Sequence, residues 1–180
     1  KMLDGRILGS IPYTRKYHTL GELFHQRKRK KGLLISSVTL VMPFIESVKR
    51  IATTIQRQLH RKNEKVLLIT SAEENEGKSS LAANLALAMA EKGVRVVLID
   101  GDLKKPALHK LFHRRSSASA SLSDCILKEI PLENALIQER DNLWVLYQYE
   151  GISNSSPVFS HPGFERILQQ CRAAADLIIL

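Results

Sequence analysis

The sequence predicts an α/β fold, a mostly parallel sheet flanked by helices, and three observations carry that prediction. Two short apolar runs, Val66-Leu67-Leu68-Ile69 and Val96-Val97-Leu98-Ile99, show no polar alternation. Strands buried on both faces of a parallel sheet read this way. Between them lies a stretch rich in Ala and Leu on nearly all sides, from about Lys78 to Lys92, which reads as a buried helix. Strand, helix and strand within about 35 residues make a βαβ unit. The turn entering the helix holds Gly77-Lys78-Ser79.

The remaining elements follow in order. Arg6 to Ile11 reads as extended and stops at Pro12, and Arg27-Lys28-Arg29-Lys30-Lys31 is a run of like charge expected to be exposed. From Pro43, the residues Phe44, Val48, Ile51, Ile55 and Leu59 recur at steps of three and four, which predicts an amphipathic helix ending near Asn63. Gly93 stands where a helix-terminating glycine belongs. Short helices are expected over Pro106–Phe112, Ser123–Leu127 and Pro131–Ile137, with a small-polar loop over Ser116–Ser121. Leu143–Leu146 reads as a strand, Gly151–Ser160 as a polar loop, Pro162–Ala174 as a helix and Leu177–Leu180 as a last buried strand.

Composition narrows the function classes. The 180 residues are 44% hydrophobic and 25% charged, which is ordinary for a globular domain able to bury its own core. Cys125 and Cys171 have no metal-ligand spacing and read as free thiols. No apolar stretch approaches the roughly 20 residues that cross a bilayer. Residues 1–65 hold 15 Lys+Arg against 4 Asp+Glu, whereas residues 66–180 hold 12 against 14. The net charge of +9 therefore belongs to the N-terminal third, an arm suited to a polyanion. That arm lacks the interleaved aromatics of a nucleic-acid binder, so no nucleic-acid partner is expected. His109 and His113 have a zinc-like i, i+4 spacing without a third ligand nearby, and Trp144 in its apolar run reads as core.

The strongest chemical signal is Ala72-Glu73-Glu74-Asn75-Glu76-Gly77-Lys78-Ser79-Ser80, between a buried strand and a helix. A phosphate loop is Gly-x4-Gly-Lys-Ser/Thr, and here Ala72 stands in the first glycine position. Such a loop turns backbone N–H groups around phosphate oxygens, and the helix adds the positive end of its dipole. Gly77 allows close backbone approach, Lys78 supplies a point charge for the β- and γ-phosphates, and the Ser79 hydroxyl can ligate Mg²⁺. Glu73 and Glu74 lie in the loop itself and also read as a solvated turn. A second signal, Ile99-Asp100-Gly101-Asp102-Leu103-Lys104-Lys105-Pro106, sits at the C-terminal end of the next strand, where open α/β sheets place ligands. Its two carboxylates can hold Mg²⁺ and accept a proton from an attacking hydroxyl.

Together these motifs resemble the MinD/ParA-like class of deviant phosphate-loop ATPases. Within that class they most resemble bacterial tyrosine kinases of the Wzc/CpsD type, which serve polysaccharide synthesis and export. Glu76-Gly77-Lys78-Ser79 follows that family's Pro-Gly-Glu-Gly-Lys-Ser, and Val97-Leu98-Ile99-Asp100-Gly101-Asp102-Leu103-Lys104 follows its Walker A′ pattern of a strand and Asp-x-Asp-x-Arg. Ala83–Ala86, Pro106–Phe112 and Leu8–Pro12 are also similar to family stretches. The resemblance implies an ATP/ADP and Mg²⁺ site and autophosphorylation of tyrosines on neighbouring copies. Residues 72–80 would bind the nucleotide, Ser79 and Asp102 the metal, and Lys78 with Asp100 or Asp102 would act in catalysis. It further implies partners in polysaccharide polymerisation and export, and a place at the cytoplasmic face of the inner membrane.

The departures from the pattern are specific. Glu74-Asn75 replaces Pro-Gly, which requires Asn75 to tolerate a left-handed backbone. Lys104 replaces Arg and loses its fork geometry. The family's Glu-x2-Arg-x2-Arg oligomerisation helix is met by Glu46, Lys49 and Ala52, of which the last does not match. Glu73 stands where MinD and ParA proteins carry a lysine, which weighs against a partition-type switch. The organisation expected is a basic juxtamembrane arm over 1–42 and an ATP-binding core over 43–180. Both ends read as cut, and the core is expected to stop before the Walker B aspartate, which would leave this piece short of full kinase activity. A MinD/ParA-type ATPase switch and a non-catalytic nucleotide-binding scaffold are the alternative functions.

Overall fold

The computed structural model describes residues 8–11, 34, 42–115 and 119–180. The basic run Arg27–Lys31 and residues 116–118 of the small-polar loop lie outside the described residues. Within residues 1–42, Ile11 and Leu34 pack against the main core, and a Cβ on Gly9 would come within 2.8 Å of Ile51.

The elements are α1 (Met42–Lys62), β1 (Val66–Leu67), α2 (Lys78–Ala90), β2 (Val96–Ile99), α3 (Leu108–Leu111) and α4 (Leu122–Leu127), followed by β3 (Leu136–Arg140), β4 (Leu143–Leu146), α5 (Ser156–Ser160), α6 (Pro162–Ala174) and β5 (Leu177–Ile179). Five strands form one sheet in the order β1-β5-β2-β4-β3. The pairings β1–β5, β5–β2 and β2–β4 are parallel, and β3–β4 is antiparallel. The mostly parallel sheet expected from the sequence is present. However, β1 and β2 are not neighbours, because β5, which comes last in the chain, lies between them.

The absence of alternation in the apolar runs has a direct cause. Val96, Leu98, Val145, Leu177 and Ile179 face one core, shared with the buried residues of α1 and α2. Val97, Ile99, Leu146 and Ile178 face a second, shared with Leu122 and Ile126 of α4, Val158 of α5, and Ile167 and Cys171 of α6. Each of β2, β4 and β5 therefore needs an apolar residue at every position. In α1 the predicted stripe holds: Phe44, Val48, Ile51 and Ile55 are buried, with Leu59 partly so, while Arg50, Arg57 and Arg61 are exposed. Residues Ala82 to Ala90 of α2 are all buried, since α2 is wedged between α1 and the sheet. Ser121 opens α4 with a reciprocal cap, its hydroxyl accepting from Asp124 N and its N–H donating to the Asp124 carboxylate. Gly163 lets α6 approach α4 closely, since a Cβ there would sit 2.8 Å from the Ile126 carbonyl oxygen.

Three expectations need correction. Pro131–Ile137 is not a helix: a single 3₁₀ turn at Leu132–Asn134 runs into the edge strand β3. The polar stretch Gln138-Glu139-Arg140 hid that strand, which turns back into β4 through Asp141-Asn142, with Asn142 at φ 61°. Ser156–Ser160 is a short helix, with Pro157 near its start and Val158 anchoring it in the second core. The β1 ladder is shorter than its apolar run, and Leu68 is 65% exposed.

Candidate nucleotide-binding site

The phosphate loop connects β1 to α2 and depends on two left-handed residues. Asn75 sits at φ 64°, as its replacement of glycine required, and Gly77 at φ 91° immediately precedes the helix. The loop is braced internally: the Ser71 hydroxyl donates to the Glu73 carbonyl at 2.8 Å, and the Glu73 N–H donates to the Glu76 carboxylate at 3.2 Å. The first-turn N–H groups of a helix have no intrahelical acceptors, so the 13-residue α2 presents donors and its positive end to this loop. Behind them Asn84, fully buried, donates to the Ser80 carbonyl at 2.7 Å, tying the second turn of α2 to its first.

The second loop follows β2, whose C-terminal end lies on the same side of the sheet as that of β1 because both pair parallel with β5. The Lys78 ammonium lies 3.1 Å from a carboxylate oxygen of Asp102, with both side chains partly exposed. Lys105 reaches back across the loops to both oxygens of Glu74, at 2.8 and 2.6 Å. The other Asp102 oxygen, Oδ1, accepts the Lys105 backbone N–H at 3.0 Å. The two loops are therefore joined by two ion pairs.

The two aspartates occupy different environments. Asp100 is 3% exposed and accepts the backbone N–H groups of Ala107 at 3.1 Å and Leu108 at 3.0 Å, which fixes the start of α3. Burial pushes its carboxyl up to about 6 against the pull of those N–H donors. Asp102 is held below the ordinary carboxylate value: partial burial opposes this, but the Lys105 N–H and the Lys78 ammonium outweigh it. Asp102 is thus the ionised, reachable carboxylate, and Asp100 organises the loop around it.

The sequence-predicted residues fall into two groups. Lys78, Asp102, Glu74 and the loop 72–80 come together at one mouth, with Ser79 in the first turn of α2. Asp100 lies beneath, buried. His109 turns Nδ1 to the Gln148 carbonyl at 3.1 Å, and His113 ends the α3 segment at φ 57°. Lys105 was missed as a site residue, because a lysine beside a lysine carries no signal for a partner 31 positions away. The donor set suits a phosphorylated ligand with a divalent cation: a cation and helix N–H groups for anionic oxygens, a hydroxyl and a carboxylate for the metal.

Residues 67–176 match the model of the CobQ/CobB/MinD/ParA nucleotide binding domain. The chain belongs to that family. Among curated relatives, the tyrosine-protein kinase YwqD of Bacillus subtilis is 33% identical over 135 residues, covering 74% of this chain and 56% of that protein. The succinoglycan biosynthesis transport protein ExoP of Rhizobium meliloti is 26% identical over 142 residues, covering 76% of this chain and 18% of that protein. The kinase domain of the Escherichia coli tyrosine kinase ETK has the same fold, with a TM-score of 0.78 at 19% identity over 96% of this chain and 66% of that one. The chain thus spans about half the length of YwqD and less of ExoP. Among the described residues no helix is long and apolar enough to cross a membrane.

Proposed function

We propose that this domain binds ATP with Mg²⁺ and transfers its γ-phosphoryl group to tyrosines, on neighbouring copies first of all, in the control of polysaccharide synthesis and export. The observation that carries this reading is the pairing of Lys78 with Asp102 at 3.1 Å across two loops at the strand ends. The kinase and succinoglycan relatives supply the reaction and its setting. In this reading Lys78 and the N–H groups of residues 72–80 hold the phosphates. Ser79 and Asp102 would hold the metal, which would supply charge neutralisation of the phosphates. Asp102 is the candidate to orient the tyrosine hydroxyl, since it is ionised and reachable, while Asp100 positions the loop. Catalysis on this plan is positioning and charge stabilisation. The basic run Arg27–Lys31 would rest on the anionic inner leaflet, each charge contributing about 1 kcal/mol.

Oligomerisation through α1 would take a form unlike the family's. Ala52 is fully buried, and Lys49 is paired with Glu91 of the same chain at 2.9 Å. The exposed Arg50, Arg57 and Arg61, with Glu46, would be available to face a neighbour.

The test is the appearance of phosphotyrosine when the native protein is incubated with Mg-ATP, and its loss in Asp102→Asn. ATP hydrolysis without phosphotyrosine would favour a nucleotide-driven switch, the second reading that the MinD/ParA family membership supports. Nucleotide binding with neither outcome would leave a scaffold.

A further inference from the structure

The function proposed above uses Glu74 only as part of a loop, yet the structure gives its side chain a specific partner. Both oxygens of Glu74 meet the Lys105 ammonium, at 2.8 and 2.6 Å. The N–H of the same Lys105 donates to Asp102 Oδ1 at 3.0 Å, which leaves Asp102 Oδ2 directed at Lys78. Glu74, Lys105, Asp102 and Lys78 thus form a closed circuit, starting on the phosphate loop, crossing to the aspartate loop and returning. Lys105 is the residue in which the two halves of the circuit meet, its side chain in one and its backbone in the other.

We propose that Glu74 is a positioning residue for the divalent cation: by anchoring Lys105 it fixes the N–H that orients the Asp102 carboxylate toward the phosphate loop. The inference rests on the nucleotide and Mg²⁺ reading above and adds a residue to it. Two consequences separate Glu74 from a solvated turn residue. Metal-free nucleotide binding draws on Lys78 and backbone N–H groups, and the Glu74 carboxylate makes no hydrogen bond to Lys78, so its loss is not expected to act through a broken contact there. Removing a negative charge near the phosphates works, if anything, in the opposite direction. Binding in the presence of Mg²⁺ also draws on Asp102, and that part weakens when the loop is released. The effect is modest because the pair is exposed, with 69% and 66% of its side-chain surface open to solvent. It is also screened, so high salt erases it.

The experiment is calorimetric titration of ADP into the protein, once in EDTA and once in Mg²⁺, giving for each variant the factor by which Mg²⁺ tightens binding. Glu74→Gln is expected to reduce that factor about threefold to fivefold relative to the unaltered protein, on the scale of an exposed ion pair coupled to a ligand, with the EDTA titration of the same variant as its own reference. Lys105→Glu alone is expected to reduce it at least as much, because two carboxylates then repel. The exchanged pair, Glu74→Lys with Lys105→Glu, keeps the net charge, restores the contact and recovers the factor. An unchanged factor in Glu74→Gln overturns the proposal. A reduced factor that the exchanged pair does not recover overturns it as well, because the effect then does not pass through this contact. If no variant, nor the unaltered protein, binds ADP in either buffer, the nucleotide reading itself fails and the inference falls with it.

Discussion

Two regions of this domain are built from the same elements, a carboxylate and a cation, and use them differently. At the mouth, Lys78 and Asp102 meet with 32% and 23% of their side-chain surface exposed, so the pair is in reach of solvent. At the antiparallel edge of the sheet, Glu139 has 5% of its side chain exposed. It accepts from Arg114 at 2.7 and 3.1 Å and from the fully buried Tyr147 hydroxyl at 2.5 Å. Glu139 lies two residues beyond Ile137 and so shares its face with the core that holds Tyr147, and the register shifts around it, with Gln138 opposite Trp144 and Arg140 opposite Leu143. The first pair is open enough to exchange partners if a ligand enters, and the second closes a polar network inside the domain. A polar cluster stabilises when all its partners are internal and binds when some are left for a ligand.

The comparison breaks first at Glu139. Glu139→Ala should cost about 1 to 3 kcal/mol, the loss on leaving the buried Tyr147 hydroxyl without its acceptor while the half-exposed Arg114 returns to water, read by urea denaturation. Its affinity for Mg-ADP, measured on the folded fraction, should stay within twofold of the unaltered protein. A stability loss below 1 kcal/mol would place Glu139 among ordinary surface carboxylates.

The next effect is a pH dependence at Asp100, the carboxylate without a cation. Its carboxyl is raised to about 6 in the folded chain, above its ordinary unfolded value. Between those values the folded state binds the extra proton, so stability falls as pH rises from about 4 to 6 and is level above that. The loss approaches about 3 kcal/mol. Asp100→Asn should flatten this part of the stability profile, and a profile equally steep in both proteins would show that the proton is bound elsewhere.

At the mouth, Lys78→Met removes one charge-assisted contact to phosphate. Mg-ADP affinity should fall by about 1.5 to 3 kcal/mol, with thermal stability nearly unchanged. Equal affinity of the two proteins by calorimetry would remove Lys78 from the phosphate site. The smallest effect belongs to the exposed Lys49–Glu91 pair between α1 and the end of α2. Lys49→Ala should change stability by only a few tenths of a kcal/mol and vanish in high salt. A larger loss would mean that this pair behaves like the Glu139 network rather than like the mouth.

Much of the molecule was legible because its signals are local. The apolar stripe of α1, the unalternating strands and the Gly77-Lys78-Ser79 turn each lie within one turn or one strand of sequence. Asn75 was legible as well, since only a few residue types accept the left-handed backbone it adopts. The edge strand β3 was not, because one of its faces is polar and its inward carboxylate, Glu139, resembles a surface residue until Arg114 and Tyr147 are placed beside it.

The sequence by itself determined that a phosphate loop joins an apolar strand to a buried helix and that two aspartates follow the next strand. Those facts come from chain neighbours and hold in any fold that keeps the elements. Only the tertiary structure decided that β5 enters between β1 and β2, that Asp100 is buried while Asp102 faces Lys78, and that Glu74 reaches Lys105. Burial and charge pairing across loops depend on which distant segments the sheet order brings side by side, and residue spacing along the chain carries no trace of that order.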